Sequence, residues 1–207
     1  MHQQTAIIRS DRAEWRRRAA LMLAHLLTPV AFALMFFTGA ITECRGQSSG
    51  FISREFDIKA VYLYHFSSYI EWPPSSLEKE DSHFVIGVFE TNPFDGALER
   101  VAQKKQVRGR PIEIRLIRST AEVLDCQILY IPKSVPIARQ DEVLAATLNR
   151  PILTVGETND FIARGGSVEF FLENNNVRFA MGAESVRRSG LKINSKLLTI
   201  AKIVSDK

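Results

Sequence analysis

The side chains best suited to metal binding or nucleophilic chemistry are few and scattered along this sequence. After the first forty residues the chain has two histidines, His65 and His83, and two cysteines, Cys44 and Cys126. Neither histidine has a Cys, His or carboxylate at the spacing of a zinc ligand, so we expect no metal site. Cys126 adjoins an apolar run, where burial raises the pKa of a thiol and makes it a poor nucleophile.

The serines and acids do not complete a catalytic constellation either. Ser185 and Ser189 lack the Gly-x-Ser-x-Gly elbow that presents a nucleophile, and no phosphate-binding glycine pattern follows a predicted strand. Glu71, Glu157 and Asp160 lie near the ends of predicted elements, and we interpret them as solvated side chains or helix caps. We therefore expect no enzyme and no cofactor. A hydrolase of unrecognised type is an alternative that replacing these three acids would test.

Aromatic side chains on one predicted helix suit binding better than catalysis. That helix carries four large rings with polar tips besides its own apolar stripe: Tyr62, Tyr64, Tyr69 and Trp72. The rings cannot all face inward, and such side chains are enriched at protein interfaces. Core packing accounts equally well for Tyr62 and Tyr69.

Arg178, in a predicted hairpin, is the other candidate binding residue. Its guanidinium could hold the carboxylate or phosphate of a small anionic ligand through two hydrogen bonds. The structural interpretation, which we favour, is an ion pair with Glu169 on the neighbouring strand.

Hydrophobic periodicity predicts the elements that position these residues. Ser53 is a candidate helix cap, and apolar residues at spacings of three and four predict a helix that must end at Pro73-Pro74. Short apolar or alternating runs predict strands over 84–89, 112–116, 127–131 and 152–155. Helices are predicted from an Asn92 cap onward, over 138–148 and over 195–204.

The order of these elements predicts the fold class. Strand and helix alternate through the middle of the chain, which is typical of right-handed crossovers and a parallel sheet. Gly165-Gly166 reads as a turn, after which 167–172 and 177–181 flank the turn-forming Glu-Asn-Asn-Asn of a β-hairpin. We expect an α/β fold: a mostly parallel sheet with helices on both faces and a C-terminal β-hairpin, forming a three-layer sandwich.

The first forty residues have the composition of an export signal. Five arginines precede an apolar stretch over 19–40 that ends in small residues. We predict a signal peptide over 1–40, a flexible leader over 41–52 and a single periplasmic domain over 53–207. The stretch exceeds the roughly 7 to 15 residues of a typical signal and approaches the about 20 that span a bilayer. An uncleaved anchor is therefore an alternative, as is a lipoprotein modified at Cys44.

Net charge limits the classes of partner, and the two cysteines raise the question of a disulfide. The whole chain carries +4 at pH 7, but residues 1–40 contain five arginines and two acids, so the remainder is near +1. Without a basic stripe we exclude nucleic acid as a partner. Cys44 and Cys126 could pair in an oxidising compartment, although we interpret Cys126 as a buried small hydrophobe.

Several motifs follow one another along the chain: the helix over 60–73 that ends in Trp72-Pro73, then Pro93-Phe94, 126–131, 153–155, Phe161 with Gly165-Gly166, Arg178-Phe179 and 190–198. Taken together and in this order, they resemble the YfiR-like family of bacterial periplasmic proteins. The resemblance spans residues 56–201. It implies a regulatory protein that binds the periplasmic sensor portion of an inner-membrane diguanylate cyclase and holds that enzyme inactive, lowering cyclic di-GMP and biofilm formation.

Two departures limit what the resemblance implies. The family's regulated members use a disulfide near the strand holding Cys126, and no second cysteine lies in the predicted domain, so redox control by that route is not expected. Gly182 also stands where many relatives have Asn.

The expected partner is an inner-membrane signalling protein with a periplasmic sensor domain, either a diguanylate cyclase or a histidine kinase. Its contacts would come from the Tyr/Trp helix and Arg178. A periplasmic sensor of an anionic metabolite is the alternative, and a homodimer stays open.

Overall fold

The computed structural model describes residues 47–77 and 83–204. Its helices are α1 (Gln47–Tyr69), α2 (Ala97–Lys104), α3 (Ile137–Thr147), α4 (Ala183–Arg188) and α5 (Ser195–Leu198). Its strands are β1 (Ile70–Glu71), β2 (Phe84–Phe89), β3 (Gln106–Val107), β4 (Arg110–Ile117), β5 (Ile128–Ile131), β6 (Leu153–Gly156), β7 (Val168–Glu173), β8 (Asn176–Gly182), β9 (Lys192–Ile193) and β10 (Lys202–Val204). The predicted signal peptide and Cys44 lie outside the described residues.

One eight-stranded sheet forms the centre of the fold, in the order β10-β8-β7-β6-β5-β2-β4-β3. The pairs from β4 through β2, β5 and β6 to β7 are parallel, and β10 is parallel to β8. β7 pairs with β8, and β3 with β4, in antiparallel fashion. The short strands β1 and β9 pair separately. The mostly parallel sheet and its C-terminal hairpin are confirmed.

β2 shows why the sheet must be covered on both faces. All of its residues are buried. Phe84, Ile86 and Val88 belong to one hydrophobic cluster with α1 and α2. Val85 and Phe89 belong to a second cluster with α3 on the other side. Successive strand residues point to opposite faces, so a continuous apolar run requires helices on both. The three-layer arrangement is confirmed.

α1 lies on the sheet through the predicted apolar stripe, whose fully buried members are Ala60, Leu63, Phe66 and Ile70. Its end before Pro73 is confirmed, but the predicted start at Ser53 is wrong, because the helix begins at Gln47. No proline interrupts residues 47–52, so each can extend the helix by one hydrogen bond. This part of the predicted leader is therefore helical.

Two other predicted helices have different bounds. The Asn92 side chain accepts a hydrogen bond from the Phe94 N–H at 3.0 Å, which makes a local turn, and α2 begins only at Ala97. The predicted helix over 195–204 ends at Leu198, and Lys202–Val204 instead pairs with β8. An open edge of β8 offers hydrogen-bond partners there, and β-branched Ile203 and Val204 favour a strand.

The predicted turn chemistry holds at both turns of the C-terminal half. Glu173 pairs with Asn176 across the hairpin, and Asn174 and Asn175 both have positive φ, at 49° and 60°. Such a two-residue loop matches the twist of antiparallel strands. The Gly165-Gly166 turn follows Phe161, whose ring lies against glycine. A Cβ on Gly166 would stand 2.2 Å from that ring, and one on Gly156 would stand 2.4 Å from it.

Within the described residues no helix is both long and apolar enough to cross a bilayer.

Candidate binding surface

Trp72, one of the four predicted binding rings, does not reach the surface. It is 4% exposed and packs edge-on against Phe84, with 5.1 Å between ring centres. Trp72 follows the end of α1, where the chain turns toward the start of β2. Its prediction as a contact residue is therefore wrong, and it belongs to the core.

Tyr62 packs between α1 and the β7–β8 hairpin. Its ring centre lies 5.2 Å from that of Phe179 and 5.9 Å from that of Phe170, and it also stacks on Phe66. The side chain is half-buried. Tyr62 therefore supports the position of α1 and offers only part of its ring to a partner.

Tyr64 and Tyr69 flank His65 on the same helix. The centre of the His65 ring lies 5.7 Å from that of Tyr64 and 5.8 Å from that of Tyr69, with which it stacks. Lys105 places its ammonium 5.7 Å above the Tyr64 ring. All three ring-bearing residues are half-buried, so they remain partly available to a partner.

The outward face of α1 forms an open groove of about 430 Å³, which we call the α1 groove. It is lined by Arg54, Asp57, Ile58, Val61, Tyr62 and His65. These positions recur at spacings of three and four and therefore share one side of the helix. Ile58 is 36% and Val61 46% exposed, which places apolar surface in contact with water.

The sequence analysis does not identify Ile58 and Val61 as candidate binding residues, although the sequence contains a signal for them. Both are apolar but fall outside the stripe that carries Ala60 and Leu63 into the core. An apolar residue off the core stripe of an amphipathic helix indicates a second face with a function.

Arg178 does not make the predicted ion pair. Glu169 lies opposite Ala180, and its carboxylate accepts a hydrogen bond from the Phe161 N–H at 3.1 Å. Arg178 instead brings its Nε within 3.7 Å of Glu173, and both side chains are exposed. The register explains the error, since Arg178 stands opposite Phe171 rather than Glu169.

Arg178 and Tyr62 lie on opposite faces of the sheet. Phe179 points toward α1 and contacts Tyr62, and successive side chains of a strand point to opposite faces. Arg178 therefore points away from α1. The predicted binding residues do not form one site.

Glu157 was interpreted as a solvated acid or a helix cap, and that interpretation is wrong. Its side chain is 5% exposed and accepts a hydrogen bond from the Lys59 ammonium at 2.8 Å. Burial raises the pKa of this carboxyl above its usual range, although Lys59 opposes the shift. Glu71 and Asp160 are exposed, as predicted.

Cys126 is buried and free, which confirms the interpretation of this residue as a small hydrophobe. Loss of solvent raises the pKa of its thiol from 9.0 to about 12, so the thiol is not a nucleophile at neutral pH.

Comparison with known families agrees with this architecture. The model of the YfiR/HmsC-like family matches residues 56–202, from the first core-facing turns of α1 to the start of β10. At the level of the family, this match supports a periplasmic regulator of a diguanylate cyclase rather than a catalyst. Because the match covers most of the chain and nearly all of the central sheet, the protein belongs to the YfiR/HmsC-like family.

Proposed function

We propose that this protein is a periplasmic repressor that binds the periplasmic sensor domain of an inner-membrane signalling protein, such as a diguanylate cyclase, and holds it inactive. Family membership supports the class of regulator. The observation that carries the choice of surface is the α1 groove, where Ile58 and Val61 expose apolar side chains. The opposite face of the same helix already packs into the hydrophobic core.

The α1 groove is well suited to binding because its helix is held rigidly. The opposite face of α1 is fully buried at Leu63 and Phe66, and Tyr62 fixes the helix against the hairpin. A surface that is ordered before binding loses little conformational entropy when a partner docks. Apolar anchors on one helix face are a common means of recognising a partner helix.

The rim of the groove favours an acidic partner. Asp57 is engaged with Arg100, with 2.8 Å between the charged atoms. Arg54 lines the groove, is exposed and makes no ion pair with another described residue. A partner segment with apolar anchors flanked by Asp or Glu would therefore be complementary, which speeds association.

A Val61→Glu variant tests this proposal in cells. In a strain lacking the gene, the wild-type protein should lower cyclic di-GMP, and Val61→Glu should not, because a buried unpaired charge weakens a docked interface by at least about tenfold. Leu148→Glu is the matched control, since Leu148 is 56% exposed at the end of α3 on the other side of the sheet.

The measurement is cyclic di-GMP per cell at equal protein level, with the melting temperature of each purified variant as a check of folding. Equal repression by Val61→Glu and wild type would contradict the α1 groove as the docking surface. If wild-type protein leaves cyclic di-GMP unchanged and its chemical crosslinks in isolated membranes include no sensor protein, the proposed function itself fails.

The alternative, a sensor of an anionic metabolite held by Arg178, has less support. The Arg178 guanidinium already approaches Glu173, and the Arg178 side chain is exposed on the hairpin. Calorimetric titration separates the two functions, because an anion site at Arg178 should weaken at least about tenfold in Arg178→Ala.

A further inference from the structure

A buried cluster of three charged side chains joins α1 to the sheet. The Lys59 ammonium lies 2.5 Å from a carboxylate oxygen of Glu55, one turn earlier on α1, and 2.8 Å from one of Glu157, directly after β6. The three side chains are only 3%, 10% and 5% exposed. The cluster is therefore the polar contact between α1 and the carboxyl end of the parallel strands.

The cluster contains more negative than positive charge. With all groups ionised, two carboxylates face one ammonium, so a net charge of about −1 is buried, which costs free energy. The Phe56 ring covers another side of the ammonium, 4.6 Å from the ring centre. Oε1 of Glu157 is buried and has no hydrogen-bond partner among the residues that the structure describes.

The charged groups on neighbouring elements do not compensate this excess. Arg100, Arg139 and Arg164 are each engaged elsewhere, with Asp57, Glu90 and Asp141 respectively, and Arg54 on α1 is exposed to solvent. Within residues 47–77 and 83–204, the Glu157 carboxylate forms an ion pair with Lys59 alone. A proton on its free oxygen would cancel the excess charge and leave the Lys59 ammonium donating a hydrogen bond to a neutral carboxyl, with its ion pair to Glu55 unchanged.

We infer that Glu157 is a proton-binding site that neutralises the buried cluster as the surroundings become mildly acidic. Proton binding thereby stabilises the packing of α1 on the sheet.

The direction of the effect follows from the pKa of Glu157. Burial raises this pKa above the usual 4.5, and the charge of Glu55 raises it further, while Lys59 lowers it. The folded protein therefore binds the proton more tightly than the unfolded chain does. The stability that the proton contributes is complete below about pH 4.5, is lost as pH rises through the folded-state pKa, and is absent above it.

The consequence for binding rests on the proposed function. α1 carries the α1 groove on its outer face, so a more firmly seated helix presents a better ordered surface to a partner. Partner binding should then strengthen in mild acid, a condition to which a protein outside the cytoplasm is directly exposed. The proton site itself is tested on the isolated protein, so its failure is separate from failure of the proposed function.

Urea unfolding between pH 8 and pH 4.5 tests the site by comparing wild type with Glu157→Gln, which mimics the protonated form. The unfolding constant of wild type, divided by that of Glu157→Gln, should be flat at high pH. As the pH is lowered below the folded-state pKa of Glu157, this ratio should fall by up to about tenfold per pH unit. Glu142→Gln, which alters an exposed acid, is the matched control and should run parallel to wild type. Parallel curves for wild type and Glu157→Gln would overturn the inference.

A second variant keeps the test decisive if Glu157→Gln does not fold. Glu55→Gln removes the neighbouring like charge, so the transition in stability should move to lower pH. A ¹³C titration of the glutamate carboxyls in wild type should show one midpoint above the usual range, which moves down in Glu55→Gln. Ordinary midpoints for every glutamate, or an unmoved transition in Glu55→Gln, would contradict the assignment.

Discussion

Cys126 lies where a thiol is least reactive. It is buried before β5, and its Sγ lies so close to β2 that a Cβ on Gly87 would stand 2.6 Å from it. Loss of solvent raises the pKa of the thiol from 9.0 to about 12. The thiolate fraction at pH 8 is then about a thousandfold lower than in the unfolded chain.

We therefore predict that iodoacetamide at pH 8 alkylates Cys126 at least about a hundredfold more slowly in the folded protein than in urea. Mass spectrometry of the peptide that contains Cys126 makes the measurement independent of Cys44. Comparable rates in the two conditions would show that the thiol is accessible in the native state, and redox control through it would have to be reconsidered.

The sequence indicates a side chain's chemistry but not always its surroundings. The burial of Cys126 was predicted correctly because it adjoins the apolar run that forms β5. Glu157 was not, because its partner Lys59 is 98 residues away in the chain. Trp72 was predicted to lie at the surface, which is wrong. The helix ends at Tyr69, three residues earlier, so the helical period does not indicate which way the Trp72 side chain points.

At the scale of elements, Phe161 and two glycines form a packing unit that connects β6 with the turn before β7. A Cβ on Gly156 would stand 2.4 Å from the ring and one on Gly166 would stand 2.2 Å from it. The Gly166 N–H also donates to the Phe161 carbonyl at 3.0 Å. The pairing of Phe161 with Gly166, the second residue of the double glycine, is therefore a steric requirement, whereas a Cβ on Gly165 would meet no atom within 4 Å.

Gly166→Ala should lower the free energy of unfolding by about 1–3 kcal/mol, because the added methyl displaces a fully buried ring. Urea unfolding measures the loss. Phe161→Leu removes the ring contact but leaves the carbonyl oxygen of residue 161, which lies 2.8 Å from the added Cβ, so Gly166→Ala should cost less in that variant than in wild type without becoming neutral. An equal cost in both backgrounds would mean that backbone conformation at Gly166, and not the ring, sets the requirement.

The elements themselves were predictable where local pattern decides them. The buried strands β2, β5 and β6 follow from short apolar runs, and Asn174 and Asn175 fix the hairpin turn. β10 was predicted as helix, because its two β-branched residues are too few to reveal a strand period, and pairing with β8 decides its conformation. Long-range pairing of this kind leaves no local periodicity to detect.

At the scale of the whole molecule, the sheet separates two surfaces. α1 and its groove lie on one side, and Arg178 points from the hairpin to the other. The fold class was correct from the sequence. The Tyr/Trp helix and Arg178 were both predicted as contact surfaces, and they lie on opposite sides of the sheet. Order along the chain does not reveal which face of a sheet a given residue occupies.

This separation predicts which positions contact the partner. A photoreactive benzoylphenylalanine in place of Val61 should crosslink to a membrane protein with a periplasmic sensor domain, because Val61 lines the α1 groove. The same group in place of Arg178 should not. Both variants are examined by mass spectrometry of crosslinked membranes. The reverse pattern would assign docking to the hairpin face.

The division of α1 into an inner and an outer face has an evolutionary consequence. Lys59 is held by its buried ion pair with Glu157, whereas its neighbour Ile58 is partly exposed to water. Mutations that retune partner choice can therefore accumulate on the outer positions while the fold is inherited unchanged. Duplicated genes could in this way acquire separate targets, and exchanging only those outer positions would exchange the targets.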